Sequence, residues 1–105
     1  MNETVDVTSP VLVAVSKLPG AVFYRQNCGL FLTLDGKRHI RATSIEGLGD
    51  IVGTYRGYSI HIETKKRRGV QGESQRMYQK KHEQAGGVYI IAKSPEQALA
   101  ALVAL

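Results

Sequence analysis

The chain has 105 residues, 43% of them hydrophobic and 22% charged, which excludes a disordered polypeptide and fits one domain, residues 1–105, around a single modest core. Fourteen Lys and Arg against nine Asp and Glu leave a net charge of +5, which favours an acidic partner, nucleic acid before an anionic membrane surface. One cysteine, Cys28, excludes an internal disulfide framework and a multi-cysteine zinc site. The acidic start lacks a basic leader and the apolar run at 11–15 is too short to cross a bilayer, so an intracellular, cytoplasmic protein is expected.

In chain order, Ser9-Pro10 reads as an N-cap followed by proline in the first turn of a short helix over 11–18, stopped by Pro19-Gly20. Residues 21–26 read as a strand, Asn27-Cys28-Gly29 as a turn, and 30–34 and 37–43 as two strands of a hairpin closed at Asp35-Gly36. Residues 44–49, with two glycines, form a loop.

Next come two runs rich in β-branched and aromatic residues, 51–55 and 58–64, with Arg56-Gly57 between them as a two-residue turn. That turn sets a register in which Tyr55 faces Tyr58, Ile51 faces Ile62 and Asp50 faces Glu63. Directly opposed residues hold their Cβ atoms about 5 Å apart, so two unpaired carboxylates there repel each other unless a cation lies between them. Lys65, two residues beyond Glu63, shares its face. Two hard oxygen ligands beside an ammonium suit Mg²⁺ or Mn²⁺ and an anionic substrate.

The run Lys65-Lys66-Arg67-Arg68 then ends the strand. A helix is expected over 71–85, with Met77, Tyr78, Lys81 and Ala85 along its inner side and Gly86-Gly87 ending it. Residues 88–92 read as a buried strand, parallel to the strand carrying Glu63 if the crossover is right-handed. Ser94-Pro95-Glu96-Gln97 is a capping box leading into a last helix over 98–105. The sum is an α/β fold with a mixed β-sheet flanked by helices, in the order helix, five strands, helix, strand, helix, around a core of the order αβββαβ.

With these residues in view, the chain resembles the VRR-NUC domain, a branch of the PD-(D/E)xK nuclease superfamily, over roughly residues 10–100. The resemblance rests on Asp50, twelve intervening residues, then Glu63-Thr64-Lys65, supported by Arg25, Asn27 and Gly29, the loop glycines Gly47 and Gly49, Gln75, and Gly86-Gly87. Two departures are visible: Gly49 stands where the superfamily has proline, and residues 10–18 contain no acid where related domains place a glutamate in the first helix. Glu3 or Asp6 can fill that role only if the helix begins before Pro10.

The resemblance implies a restriction-endonuclease-like core and metal-dependent hydrolysis of phosphodiester bonds in DNA. It implies a structure-specific endonuclease acting on branched DNA such as a Holliday junction, as a homodimer, and a small self-contained nuclease without targeting segments fits a phage or mobile-element setting. Asp50, Glu63 and the main-chain carbonyl of Thr64 would hold Mg²⁺ or Mn²⁺, Lys65 would position water or neutralise developing charge, and Gln75 would support the site. Arg25, Asn27, Lys66, Arg67 and Arg68 would contact nucleic acid.

Each residue also has a plainer reading. Asp50 alone serves equally as a turn cap, Glu63 and Lys65 as an exposed strand pair, Lys66 to Arg68 as a solvated turn, and Arg25 as a paired surface cation. The three histidines have no metal-ligand spacing. The rival function is a non-catalytic basic nucleic-acid-binding module whose acids belong to a salt-bridge network.

Overall fold

The computed structural model describes residues 4–26, 30–32, 34–37, 39–41 and 50–105. It is an α/β fold with a four-stranded mixed sheet and three α-helices. A π-helical stretch, Thr4–Thr8, runs directly into α1 (Ser9–Ser16), followed by β1 (Val22–Arg25), β2 (Leu30–Leu32), β3 (His39–Arg41), β4 (Ile51–Tyr55), β5 (Tyr58–Thr64), α2 (Glu73–Gln84), β6 (Val88–Ala92) and α3 (Pro95–Val103). The main sheet has the order β1-β4-β5-β6, antiparallel except for the parallel pair β5–β6. Among the described residues no helix is long and apolar enough to cross a membrane.

The central hairpin has the register its turn dictates. Ile51 pairs with Ile62, Val52 with His61, Gly53 with Ile60, Thr54 with Ser59 and Tyr55 with Tyr58. Arg56 and Gly57 both take positive φ, 54° and 82°, the mirror-image turn whose twist matches the strands it joins. The Asp35-Gly36 hairpin pairs Leu32 with His39 and Leu30 with Arg41, but it forms a two-stranded ladder of its own outside the main sheet.

Strand alternation sorts the sheet into two unlike faces. Ile51, Tyr55, Ile60, Ile62, Ile90 and Ala92 point to one face and are buried against Val7, Val11, Val15, Ala98 and Leu102 of the N-terminal helical segment and α3. Ile51, Ile60 and Ile62 are fully buried, each contributing about 2 kcal/mol by transfer from water, and this layer anchors β4 and β5. Glu63, His61 and Tyr89 lie on the opposite face, toward α2, because they alternate with the isoleucines.

Two expectations about helices need correction. The N-terminal helix starts before Pro10, and Ser9 is not its cap: Thr8, in the cap position, has helical φ and ψ because the π-helical stretch continues into α1. In α2, Met77 is 57% exposed and Lys81 and Ala85 are exposed, whereas Gln75, Tyr78, Gln79 and His82 are half-buried. These four recur at helical spacing and give α2 a polar inner side, which suits a polar sheet face. In α3, the Ser94 hydroxyl caps the helix by accepting from the Gln97 N–H at 3.2 Å, and Gln97 Oε1 accepts from the Lys93 N–H at 2.7 Å.

Candidate active site

The chain's acidic pair sits where β4 begins and β5 ends. Asp50 lies one residue before β4, and its carbonyl accepts from the Gln26 N–H at 2.7 Å, which extends the β1–β4 ladder by one bond. Its side chain is not simply an open carboxylate facing Glu63. Asp50 Oδ2 accepts from both the Thr64 N–H and the Thr64 hydroxyl, each at 2.8 Å. The β4–β5 ladder is described from the Ile51–Ile62 pair onward, and beyond its end the Thr64 N–H takes the Asp50 side chain as its acceptor.

Thr64 is fully buried, and its Oγ1 lies 2.5 Å from Oγ1 of Thr8, itself only 3% exposed. Because the Thr64 hydroxyl proton goes to Asp50, the Thr8 hydroxyl must donate to Thr64. The N-terminal segment therefore reaches the acid through a hydroxyl relay. Asp6 is exposed, and Glu3 lies outside the described residues. Among the described residues no group of three or more His, Cys, Asp or Glu side chains comes together in a way that could hold a metal ion.

Glu63 is 2% exposed and is held from two directions. Its Oε1 accepts from Gln75 Nε2 at 2.6 Å and lies 3.3 Å from Lys65 Nζ. Gln75 is the third residue of α2, and its Oε1 accepts from the Gly72 N–H at 2.9 Å. That bond fixes the amide's orientation and leaves its NH₂ directed at the carboxylate. Glu63 Oε2 is buried and accepts no hydrogen bond from a described residue. Burial, and secondarily the negative charge of Asp50, push the Glu63 carboxyl up to about 7, against the opposing pull of Lys65 and Gln75.

Asp50, Glu63, Lys65 and Gln75 thus converge. The Thr64 carbonyl leaves the strand on the same side as its N–H, toward Asp50, as extended backbone requires. An unsatisfied buried carboxylate oxygen, a second carboxylate and a carbonyl are hard oxygen donors of the kind Mg²⁺ or Mn²⁺ takes, with water completing its shell.

The other expected contact residues are dispersed. Arg25 is exposed on the edge strand and pairs with Ile51, so its side chain leaves toward the α1 and α3 face, away from Glu63. Lys66 is half-buried, Arg67 and Arg68 are exposed, and Lys93 Nζ holds this segment by donating to the Arg67 carbonyl at 2.7 Å. Asn27 lies outside the described residues.

Beside Glu63, an aromatic group emerges that the linear pattern did not single out. His61 meets His82 edge-on at 4.5 Å between ring centroids and lies 5.1 Å from Tyr78, with Tyr89 stacked at 6.4 Å. His82 is bonded through Nε2 to the Ser59 carbonyl at 3.0 Å. Burial, with His82 close by, pulls the His61 imidazole down to about 4, and burial raises the Tyr89 hydroxyl. The spacing Gln75, Tyr78, Gln79, His82 was the available signal, masked by the preference for apolar inner faces. No family model, no curated protein and no solved structure matches this chain.

Proposed function

We propose that this chain is a Mg²⁺- or Mn²⁺-dependent nuclease hydrolysing phosphodiester bonds in DNA, with the restriction-endonuclease-like core that its resemblance to VRR-NUC domains implies. The observation that carries the reading is the buried Oε2 of Glu63, unsatisfied among the described residues, on a carboxyl whose other oxygen lies 3.3 Å from Lys65 Nζ and which feels the charge of Asp50. Such an oxygen costs about 1–3 kcal/mol or more, and a cation ligated there would offset that cost.

A divalent ion held by Asp50, Glu63 and the Thr64 carbonyl supplies charge screening of the phosphate and an acidified water. The protein's own residues do the rest. Gln75 holds the Glu63 carboxylate in one orientation, and Thr64 holds that of Asp50. Lys65 offers a fixed positive charge where negative charge grows in the transition state. Lys66, Arg67 and Arg68 follow directly and would grip the phosphate backbone.

Branched DNA such as a Holliday junction is the proposed substrate, and a homodimer the proposed assembly, since a two-fold junction requires paired cuts. Folding consumes most of the apolar surface of α1 and α3, leaving Val13 and Val103, each more than half exposed, for contact between copies. A monomer mass by light scattering at micromolar concentration would count against the dimer.

The second reading, a non-catalytic nucleic-acid-binding module, draws on the two hydrogen bonds that give Asp50 a structural use. One gel separates the two: labelled four-way junction, flap and duplex with Mg²⁺, Mn²⁺ or EDTA, using wild type and Lys65→Ala. The nuclease reading expects metal-dependent cutting that Lys65→Ala lowers by orders of magnitude. Binding without cutting under every condition supports the module, and cutting in EDTA rules out the metal mechanism.

A further inference from the structure

Among the described residues the sheet face that carries Glu63 is covered by α2 over the β5–β6 side, through Gln75 on Glu63 and His82 on Ser59, and at its β1 edge the same face leaves Tyr24 exposed. Register aligns Tyr24, Val52, His61 and Tyr89 in one row across all four strands. The adjoining row continues from Gln26 through Asp50 to Glu63. Tyr24 is 58% exposed at the sheet edge, whereas Val52 beside it is buried.

Between them runs a groove of about 260 Å³, lined among others by Tyr24, Gln26, Val52, Thr54, Ser59 and His61. None of its lining residues is Asp, Glu, Lys or Arg. The charges gather at the end of the face instead, at Asp50, Glu63 and Lys65, followed by Lys66, Arg67 and Arg68. An uncharged channel with an exposed aromatic ring and small hydroxyls suits a nucleobase, while the basic end suits phosphate, and the net charge of +5 favours a polyanion overall.

From this juxtaposition we propose that Tyr24 is a stacking platform for an unpaired base of the nucleic acid whose phosphate lies at Asp50, Glu63 and Lys65. The strand spacing puts the Cα atoms of Tyr24 and Glu63 about 12 Å apart, two strands across and two residues along, within reach of a few nucleotides. In duplex the base faces are covered by their neighbours, so only an unpaired nucleotide can present a face to the ring. The substrate class is thereby narrowed to strands with unpaired bases beside the cleaved bond, including the open centre of a junction. This inference rests on the proposed nuclease reading for the phosphate end, but the platform itself is a binding property.

The test is made in EDTA, where no cleavage occurs, by fluorescence anisotropy of a labelled single-stranded oligonucleotide and of its duplex. Tyr24→Ala is expected to weaken single-strand binding about tenfold, the size of one lost base stack, while duplex binding changes less than twofold and Tyr24→Phe stays within threefold of wild type. The chain contains no tryptophan, so Tyr24→Trp adds a single reporter whose emission single strand should quench and duplex should not. Equal losses on both ligands, failure of phenylalanine to substitute, or an unquenched tryptophan overturns the proposal. So does a fall in mass by light scattering for Tyr24→Ala with oligonucleotide affinity unchanged, which would mean that a second copy covers this face. A failed anisotropy test overturns the platform and leaves metal-dependent cutting of a junction to be read by the gel, and absence of cutting leaves the anisotropy result standing, so the two readings fail separately.

Discussion

Asp50 and Thr64 are joined twice: one carboxylate oxygen accepts both the main-chain N–H and the hydroxyl of the same buried threonine, each at 2.8 Å. The aspartate therefore has two duties, closing the end of β5 with Oδ2 and, in the proposed reading, offering its carboxylate to an ion. Substitution separates them. Asp50→Asn keeps an oxygen acceptor and should change stability by less than about 1 kcal/mol. Asp50→Ala strands two buried donors and should cost about 2–4 kcal/mol in urea unfolding. A similar loss in both variants would mean that the charge, not the hydrogen bonds, holds the strand end.

Metal binding should register as stability. At pH 8, millimolar Mn²⁺ is expected to raise the melting temperature of wild type by several degrees, a linkage effect that Asp50→Asn and Glu63→Gln abolish. An unchanged melting temperature in wild type would remove the case for a resident ion.

Glu63 and His61, both perturbed on the α2 face, act on pH dependence with opposite signs. Glu63, pushed up to about 7 from its usual 4.5, keeps in the folded protein a proton that the unfolded chain has released. Stability from this group therefore falls as pH rises from about 4.5 to 7, by about 3 kcal/mol in all, and is level above. His61, pulled down to about 4 from 6.5, stays neutral when folded, so its contribution is full above pH 6.5 and declines as pH drops toward 4. In EDTA the two slopes oppose each other between about 4.5 and 6.5, and wild-type stability should change little there. Glu63→Gln should expose a rise with pH and His61→Asn a fall. Parallel curves for all three proteins would show that neither group titrates as described.

Gln75 matters through the direction of its amide. Its oxygen is occupied by the Gly72 N–H, so only its NH₂ meets Glu63. Gln75→Glu replaces that donor with a second carboxyl. At pH 6 the pair can share a proton, while at pH 8 both ionise, so the variant should lose distinctly more stability at the higher pH in EDTA. Equal destabilisation at both values would mean that the contact with Glu63 contributes little.

Two glycines make contrasting demands. A Cβ on Gly53 would overlap the main-chain carbonyl of Val22 and the Phe23 side chain, so Gly53→Ala must part β1 from β4. A Cβ on Gly87 would overlap the His82 ring, a side chain that can swing away once its bond to Ser59 is given up. Chemical denaturation should find Gly53→Ala the costlier, above about 3 kcal/mol, and Gly87→Ala nearer 1–2 kcal/mol. The reverse order would show that β1 is not held closely against β4.

Local chemistry made much of this protein legible from its residues alone. Arg56-Gly57 can only close a tight turn, and with it the register of β4 and β5 follows; alternation then sends Ile60 and Ile62 one way and Glu63 the other. Ser94 before Pro95, and the apolar run at β6, announce a capped helix and a buried parallel strand in the same direct manner. The tertiary structure decided what depends on groups distant in sequence. Asp50 turns to Thr64, whose N–H and hydroxyl it accepts past the end of the β4–β5 pairing, and Thr8 is drawn in from the N-terminal segment by the buried hydroxyl. The inner side of α2 is polar because it must meet Glu63 and His61 rather than isoleucine. A pattern of apolar residues cannot announce a helix that docks through amides and imidazoles, since the partners of those groups lie on another strand.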